Sequence, residues 1–315
     1  MKRTSIVILL LLGLAAFDFA FYSLVVKRYV NQSSAEMQAK LIELHKFLPF
    51  EQGSQIVRAS SSLKLSGDLP IIDGAAALYP VFSAFVAANY PKESVEFDGQ
   101  NFTSASRLKF SNTRGAYKAI SDGEADLIFV AAPSKQQLAY AQEKGANLRF
   151  VPIGLEAFVF IVNANNKVSS LSLDQVRGIY SGQYSDWSQL GGERMRIDAV
   201  QRNAGSGSQS AFLKFMGETQ PKRKITGFFG SAIGFSFRYY VEGIVQNGSV
   251  KMLSLNGAYP NKESIASRKY PLVAEIYAVY DENNKNENIR ILIDWILSPQ
   301  GQSIIENSGY VPIKG

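Results

Sequence analysis

Cysteine is absent from this 315-residue sequence, and histidine occurs once, as His45. The first absence excludes disulfides, thiolate metal ligands, cysteine nucleophiles and an acyl-cysteine lipid anchor. The second means that a Ser-His-Asp triad or a histidine-based zinc site would have to be built around one residue. That residue lies in a polar stretch near the N-terminus and reads as a surface side chain. Blocks of like charge are missing too. Charged residues make up 19% of the chain and the net charge is +6, with a sequence pI near 9.2. No Lys/Arg cluster interleaved with aromatics accompanies that excess, which argues against a nucleic-acid partner. There is no G-x-S-x-G elbow, phosphate loop, dinucleotide fingerprint, H-E-x-x-H pair or calcium loop. Neither a catalytic residue, a metal ligand nor a cofactor site is therefore expected.

What is present begins at the N-terminus. After Met1-Lys2-Arg3 comes TSIVILLLLGLAAFDFAFYSLVV (4–26), broken only by Asp18 and followed by Lys27 and Arg28. About 20 apolar residues suffice to span a bilayer, whereas a cleaved signal has a shorter core and a small-x-small exit. Residues 1–29 are read as a transmembrane signal anchor ahead of a cleaved signal peptide. Either places the remainder on the extracytoplasmic face of the cell membrane, or secretes it if cleaved. Residues 30–62 read as a stalk, a short helix holding His45 and then a polar linker.

From Leu63 onward, apolar strands alternate with helical patterns. LPIIDG (69–74), ADLIFVAAP (125–133), RFVPIGLEAFVFIVN (149–163) and YPLVAEIYAVY (270–280) are strand-like. LYPVFSAFVAANY (78–90) keeps helical spacing, with Pro80 suited to a first turn. SKQQLAYAQEKG (134–145) runs from a Ser cap to a Gly stop, and SLDQVRGIYSG (172–182) carries a Ser172–Gln175 capping box. The stretch 289–309 is helical, with a break at Pro299-Gln300-Gly301. Such alternation predicts an α/β fold with mostly parallel sheets and ligands at the carboxyl ends of strands.

Three segments share one construction, small or hydroxyl residues opening a helix: DGAAALYP (73–80), FSNTRGAYKAI (110–120) and RNAGSGSQSAF (202–212). Each offers free backbone N–H groups at the positive end of a helix, where an anion is favoured. Thr113, Ser206 and Ser208 add hydroxyl donors; Arg202 and Arg114 add planar charged forks suited to an oxyanion. Singly, each start has an ordinary explanation. A Ser or Thr before a helix is an N-cap, Gly-Ser-Gly is a turn, and Arg114 points to solvent. Magnitudes show what an anion site needs. One arginine at ~4 Å returns roughly 4 kcal/mol at an effective dielectric of 20, and hydrogen bonds to a charged group about 1.5–3 kcal/mol each. One start is too little to offset the desolvation of a divalent anion, and three that converge are enough. Ser206 as a nucleophile would lack a base, so a phosphate-ester hydrolase is disfavoured.

From about Leu69 to Pro312 the chain resembles the solute-binding proteins of phosphate ABC importers, in the type found in Gram-positive bacteria. The stretches that carry the resemblance are IDGAAALYPVFSAF, GEADLIFVAAPS, FVPIGLEAFVFIVN, VRGIYSGQYSDW, QRNAGSGSQSAF, SAIGFSF, YPLVAEIYAVY and LIDWILSPQGQSIIENSGYVPI, in that order. The resemblance implies a two-lobed type II periplasmic-binding-protein fold. Two strands, near 153–162 and 270–279, would cross a hinge. Lobe I would take 63–155 plus 270–315, and lobe II 156–269. It implies ligand contacts from Arg202, Ser206, Gly207 and Ser208, from Thr113, and from the helix start at Leu78-Tyr79. Its partners would be inorganic phosphate and ABC permease subunits. Two departures stand out. Alanines replace the hydroxyl common in the first start, and Ala131 stands where some relatives carry an aspartate that accepts the proton of hydrogen phosphate. Glu156 and Asp73 are candidates to replace it. The alternatives are a receptor for sulfate, molybdate or tungstate, and a membrane-anchored sensor or interaction protein on the same fold.

Overall fold

A computed structural model describes residues 42–202, 204–222, 231–245 and 248–313. The apolar run at 4–26 lies outside the described residues, among which no helix is long and apolar enough to cross a membrane.

The first strand, β1 (Ile72–Gly74), leads through a 3-10 turn at Ala76–Leu78 into α1 (Tyr79–Asn89). Next come α2 (Asn112–Ser121), β2 (Leu127–Ala131), α3 (Lys135–Glu143) and the long β3 (Leu148–Asn163). The middle of the chain forms β4 (Ser170–Leu171), α4 (Leu173–Ser181), β5 (Asp198–Ala199), α5 (Gly207–Met216) and β6 (Ala232–Phe237). It continues through β7 (Val250–Met252), β8 (Ser254–Leu255) and α6 (Lys262–Ala266). The chain then forms β9 (Val273–Asp281), α7 (Glu287–Ile296), α8 (Pro299–Asn307) and β10 (Val311–Pro312). Ser134 and Ser172 each close a capping box with Gln137 and Gln175, as their spacing predicts, and Gly182 ends α4 in the left-handed conformation.

The main sheet runs β1-β2-β9-β3-β6-β5, with β10 and β7 also paired to β3. The expectation of mostly parallel sheets is corrected. β1/β2 and β5/β6 are parallel, but β9 and β3 run antiparallel to each other and to their other neighbours. The reason is connectivity: β9 enters between β2 and β3 only after the chain has passed through β4–β8, and it pairs antiparallel with both instead of extending a βαβ series. Along β3 the partner changes. Residues 148–157 pair with β9, and from Phe158 the strand pairs with β6.

The buried side chains group on either side of that change. Around α1, α7 and α8 lie Phe82, Phe85, Phe129 and Trp295, with a smaller cluster under α2; around α4 and α5 lie Phe160, Tyr180, Phe212 and Phe235. In this second core, Phe212 and Phe235 stack with ring centroids 4.4 Å apart. A further correction concerns residues 42–62. Of the stalk and polar linker expected over 30–62, residues 30–41 lie outside the described residues, and 42–62 lie against the first core. Leu44–Phe47 is a 3-10 turn, Ile42, Leu48 and Ile56 are buried, and Tyr79 Oη donates to Leu44 O at 3.4 Å. The cause is α1, nearly all of whose residues are buried: a helix apolar on every side has to be covered on every side. His45 is exposed.

Candidate functional site

The second helix start touches both of the others. Asp73, at the end of β1, is the tie between the first two. Its Oδ1 accepts the N–H of Gly74 at 2.7 Å and that of Ser111 at 2.8 Å, and its Oδ2 accepts the Ser111 hydroxyl. Ser111 therefore spends its side chain on Asp73 instead of capping α2, and Asn112 begins the helix at φ 61°. Asp73 is only 2% exposed. Burial pushes its carboxyl above the ordinary range, while the Ser111 and Gly74 bonds and the charge of Lys109 pull the other way.

The second and third starts face each other directly. A Cβ placed on Gly207 would sit 3.3 Å from Thr113 Oγ1, and one on Gly205 would sit 3.2 Å from Arg114 Cδ. Gly205, at φ 81°, supplies the left-handed turn before α5 and leaves room for the Arg114 stem. Ser206 caps α5 by accepting the Gln209 N–H at 3.2 Å. Gln209 in turn accepts the Arg202 N–H at 2.9 Å and donates to Gln201 at 3.2 Å. Gly207, Ser208 and Gln209 are buried. The Arg202 guanidinium hydrogen-bonds the Tyr240 hydroxyl; burial raises that phenol's pKa and the arginine opposes the rise. Among the described residues, neither Arg114 nor Arg202 pairs with a carboxylate. Two helix N-termini thus approach each other, with Arg114 on the first and Arg202 just ahead of the second, residue types suited to an anion.

The first start departs from expectation. Leu78 and Tyr79 are buried, with the Leu78 N–H closing a turn on Ala75 O at 2.9 Å and the Tyr79 N–H bonded to Ala76 O. Both donors are occupied, because a 3-10 turn precedes the helix. The N–H groups left without an intrahelical acceptor are those of Ala76 and Ala77, two residues earlier. Of the carboxylates considered for the position of Ala131, Asp73 is committed to Ser111 and Gly74, and Glu156 to the N–H groups of Ala157 and Tyr239, with Arg238 Nε 3.4 Å away. The Ala131 carbonyl accepts the Tyr117 hydroxyl at 2.7 Å. Sequence reasoning missed the Asp73–Ser111 tie, Gln209 and Tyr240. Gln209 had a signal, since it stands three residues after a serine as in a capping box, but its side chain reaches back to Arg202 instead of Ser206.

A model of the PBP superfamily domain matches residues 71–300. The phosphate-binding protein PstS of Bacillus subtilis is 25% identical over 273 residues, 81% of this chain and 84% of its own length. That of Borreliella burgdorferi is 25% identical over 233 residues, 65% and 81% respectively. Among solved structures, a phosphate ABC transporter substrate-binding protein from Clostridium perfringens with bound phosphate superposes with a TM-score of 0.60 at 23% identity, covering 77% of this chain and 98% of that one. An ABC-type phosphate transport receptor from Vibrio cholerae gives 0.56 at 19% identity, covering 76% and 98%.

Proposed function

The chain belongs to the PBP superfamily, and from that premise we propose that it binds inorganic phosphate outside the cytoplasm and delivers it to an ABC permease, performing no chemistry itself. The observation that carries this reading is the approach of Thr113 to Gly207, with Asp73 gathering the first start into the same place. The helix starts at Ala76–Ala77, at Thr113 and at Ser206–Ser208 become donors to one anion, with Arg202 and Arg114 as its charged partners. Donors fixed by the fold before the ligand arrives need no reorganisation on binding, which is how a protein replaces the hydration shell of a divalent anion.

The two cores are then two lobes, about 63–155 plus 270–315 and 156–269, with β3 and β9 as hinge strands. An anion touching both walls favours their approach, and closure buries it. Residues 1–29 anchor the protein to the membrane, and 42–62, packed on the first lobe, bring that lobe close to the anchor.

The test is calorimetry on the full-length chain, stripped of bound anion by partial unfolding and refolded, titrated with phosphate and then with sulfate. Tight phosphate binding with sulfate ignored is the expected result. Comparable heat from both would replace the reading with a broader oxyanion receptor, in keeping with Ala131. Heat from neither would overturn the anion clamp.

A further inference from the structure

Where β3 changes partner it carries a buried ion pair that the anion site does not use. Glu156 is 1% exposed and Arg238, just after β6, is 5% exposed. Arg238 Nε lies 3.4 Å from Glu156 Oε1. That oxygen also accepts the Ala157 N–H at 2.8 Å, and Oε2 accepts the Tyr239 N–H at 3.1 Å. The guanidinium donates through Nη1 to Glu242 at 2.7 Å and through Nη2 to the Gly309 carbonyl. Gly309 belongs to the link between α8 and β10, so this last bond crosses from the second core to the first.

A second crossing lies beside it. The Tyr239 ring stands 4.7 Å from that of Tyr310 and fills the space over Gly309, where a Cβ would come within 2.5 Å of it. Tyr310 Oη donates at 2.5 Å to the carbonyl of Ala77, in the turn that opens α1. Contacts therefore run without a break from Glu156 through Tyr239 and Tyr310 to the first helix start. The segment that follows, Tyr240–Val245, is one turn of π-helix, a rare form that concentrates at functional sites, and its first residue bonds Arg202.

A buried ion pair alone is weak reason to infer more than structure. Two features here go further: the pair sits at the crossover, and its bonds join the two cores. The groups facing Glu156 are Arg238, Tyr239, Glu242 and Tyr310, and Tyr259 faces Glu242 and Arg238. Two carboxylates thus share one buried guanidinium, Glu156 in a dry place and Glu242 at the surface. Burial pushes Glu156 up to about 7 and Glu242 adds to the rise, against the pull of Arg238 and of the two N–H bonds.

We propose that Glu156, Arg238, Tyr239 and Tyr310 form a latch joining the two cores at the crossover, held by the ionised form of Glu156, so that anion affinity falls when Glu156 takes up a proton. This rests on the anion-clamp reading above. Hydrogen bonds to an ionised acceptor are roughly twice as strong as neutral ones, so protonation weakens the hold on Tyr239 and leaves Arg238 to Glu242. By reciprocity, anion binding expels part of that proton.

Proton release per phosphate bound is measured on the full-length chain at pH 7, by calorimetry in two buffers of different ionisation heat, for the wild type and Glu156→Gln. Phosphate's own titration contributes equally to both. A fivefold coupling makes the wild type release about 0.3 proton more than the variant. Equal release, with phosphate bound by both proteins, overturns the latch and leaves the clamp standing. No phosphate heat from the wild type overturns the clamp and the latch with it. If Glu156→Gln does not fold, Tyr310→Phe decides. It keeps the ring and loses the bond to Ala77, and should bind phosphate about fivefold more weakly at pH 8 with the ligand-free melting point within a few degrees of wild type. Unchanged affinity overturns the proposal.

Discussion

The two walls of the candidate site are built by opposite means. On the α1/α2 wall a buried carboxylate does the ordering: Asp73 holds the N–H groups of Gly74 and Ser111 and the Ser111 hydroxyl. On the α5 wall the ordering groups are neutral, Ser206 capping the helix and Gln209 bonding Arg202 N–H. A negative charge behind one wall would repel an anion bound as proposed. Three donors disperse that charge, and the nearby charge of Lys109 opposes it. The α5 wall is ordered without such a charge, and among the described residues no carboxylate pairs with Arg202. The walls thus differ in what orders them, a carboxylate in one and neutral side chains in the other, while each carries one arginine, Arg114 and Arg202.

The largest effects should separate the walls by stability. Asp73→Ala strands two N–H groups and a hydroxyl and is expected to cost about 3 kcal/mol in urea unfolding, at 1–3 kcal/mol for each unsatisfied group. Ser206→Ala removes a neutral cap and should cost about 1 kcal/mol. Equal losses would erase the distinction. Only the charged wall should also respond to pH. The folded-state pKa of Asp73 is raised above 3.8, so the native protein holds that proton more tightly than the unfolded chain. The stability this contributes is present on the acid side and is lost as pH rises from about 3.8 through the raised value. Asp73→Asn, still able to accept both N–H bonds at Oδ1, should lack that dependence, which thermal melts across the window would reveal.

Next in size is the arginine. Arg202→Ala should weaken phosphate binding at least tenfold, about 1.4 kcal/mol, while leaving the melting point of the ligand-free protein nearly unchanged. Collapse of the ligand-free protein would instead make Arg202, through Tyr240, a structural member of the α5 wall.

Much of this contrast was legible in the sequence, and the illegible part has a common cause. Ser134 with Gln137, Ser172 with Gln175, the break at Pro299 and the Gly-Ser-Gly turn before α5 are local devices, readable from residues three or four apart. Asp73 and Ser111 are 38 positions apart, and nothing in either stretch announces the other. The error at Leu78 and Tyr79 is one of phase. A helical pattern shows where the apolar face lies and does not reveal that a 3-10 turn at Ala76–Leu78 has moved the free N–H groups back by two residues. The fate of residues 42–62 was in principle readable, since an α1 with so few polar residues needs a cover, but what supplies it depends on tertiary structure.

The smallest expected effect tests whether the walls need to come as close as they stand. A Cβ on Gly207 would sit 3.3 Å from Thr113 Oγ1 and 3.7 Å from Phe237 Cε2, near enough to require a shift of a few tenths of an ångström. Gly207 is the first residue of α5 and is not in the left-handed region, so alanine costs nothing in backbone conformation and adds helix propensity. Gly207→Ala should therefore leave the ligand-free protein as stable as before or slightly more so, yet lower phosphate affinity about threefold, ~0.7 kcal/mol, because the shift is demanded only when the walls meet. Alanine at Gly205 could not make this distinction, since its φ of 81° would strain any side chain in either state. If Gly207→Ala changes neither quantity, Thr113 yields freely, and the grip on the anion comes from Arg202 and the backbone donors alone.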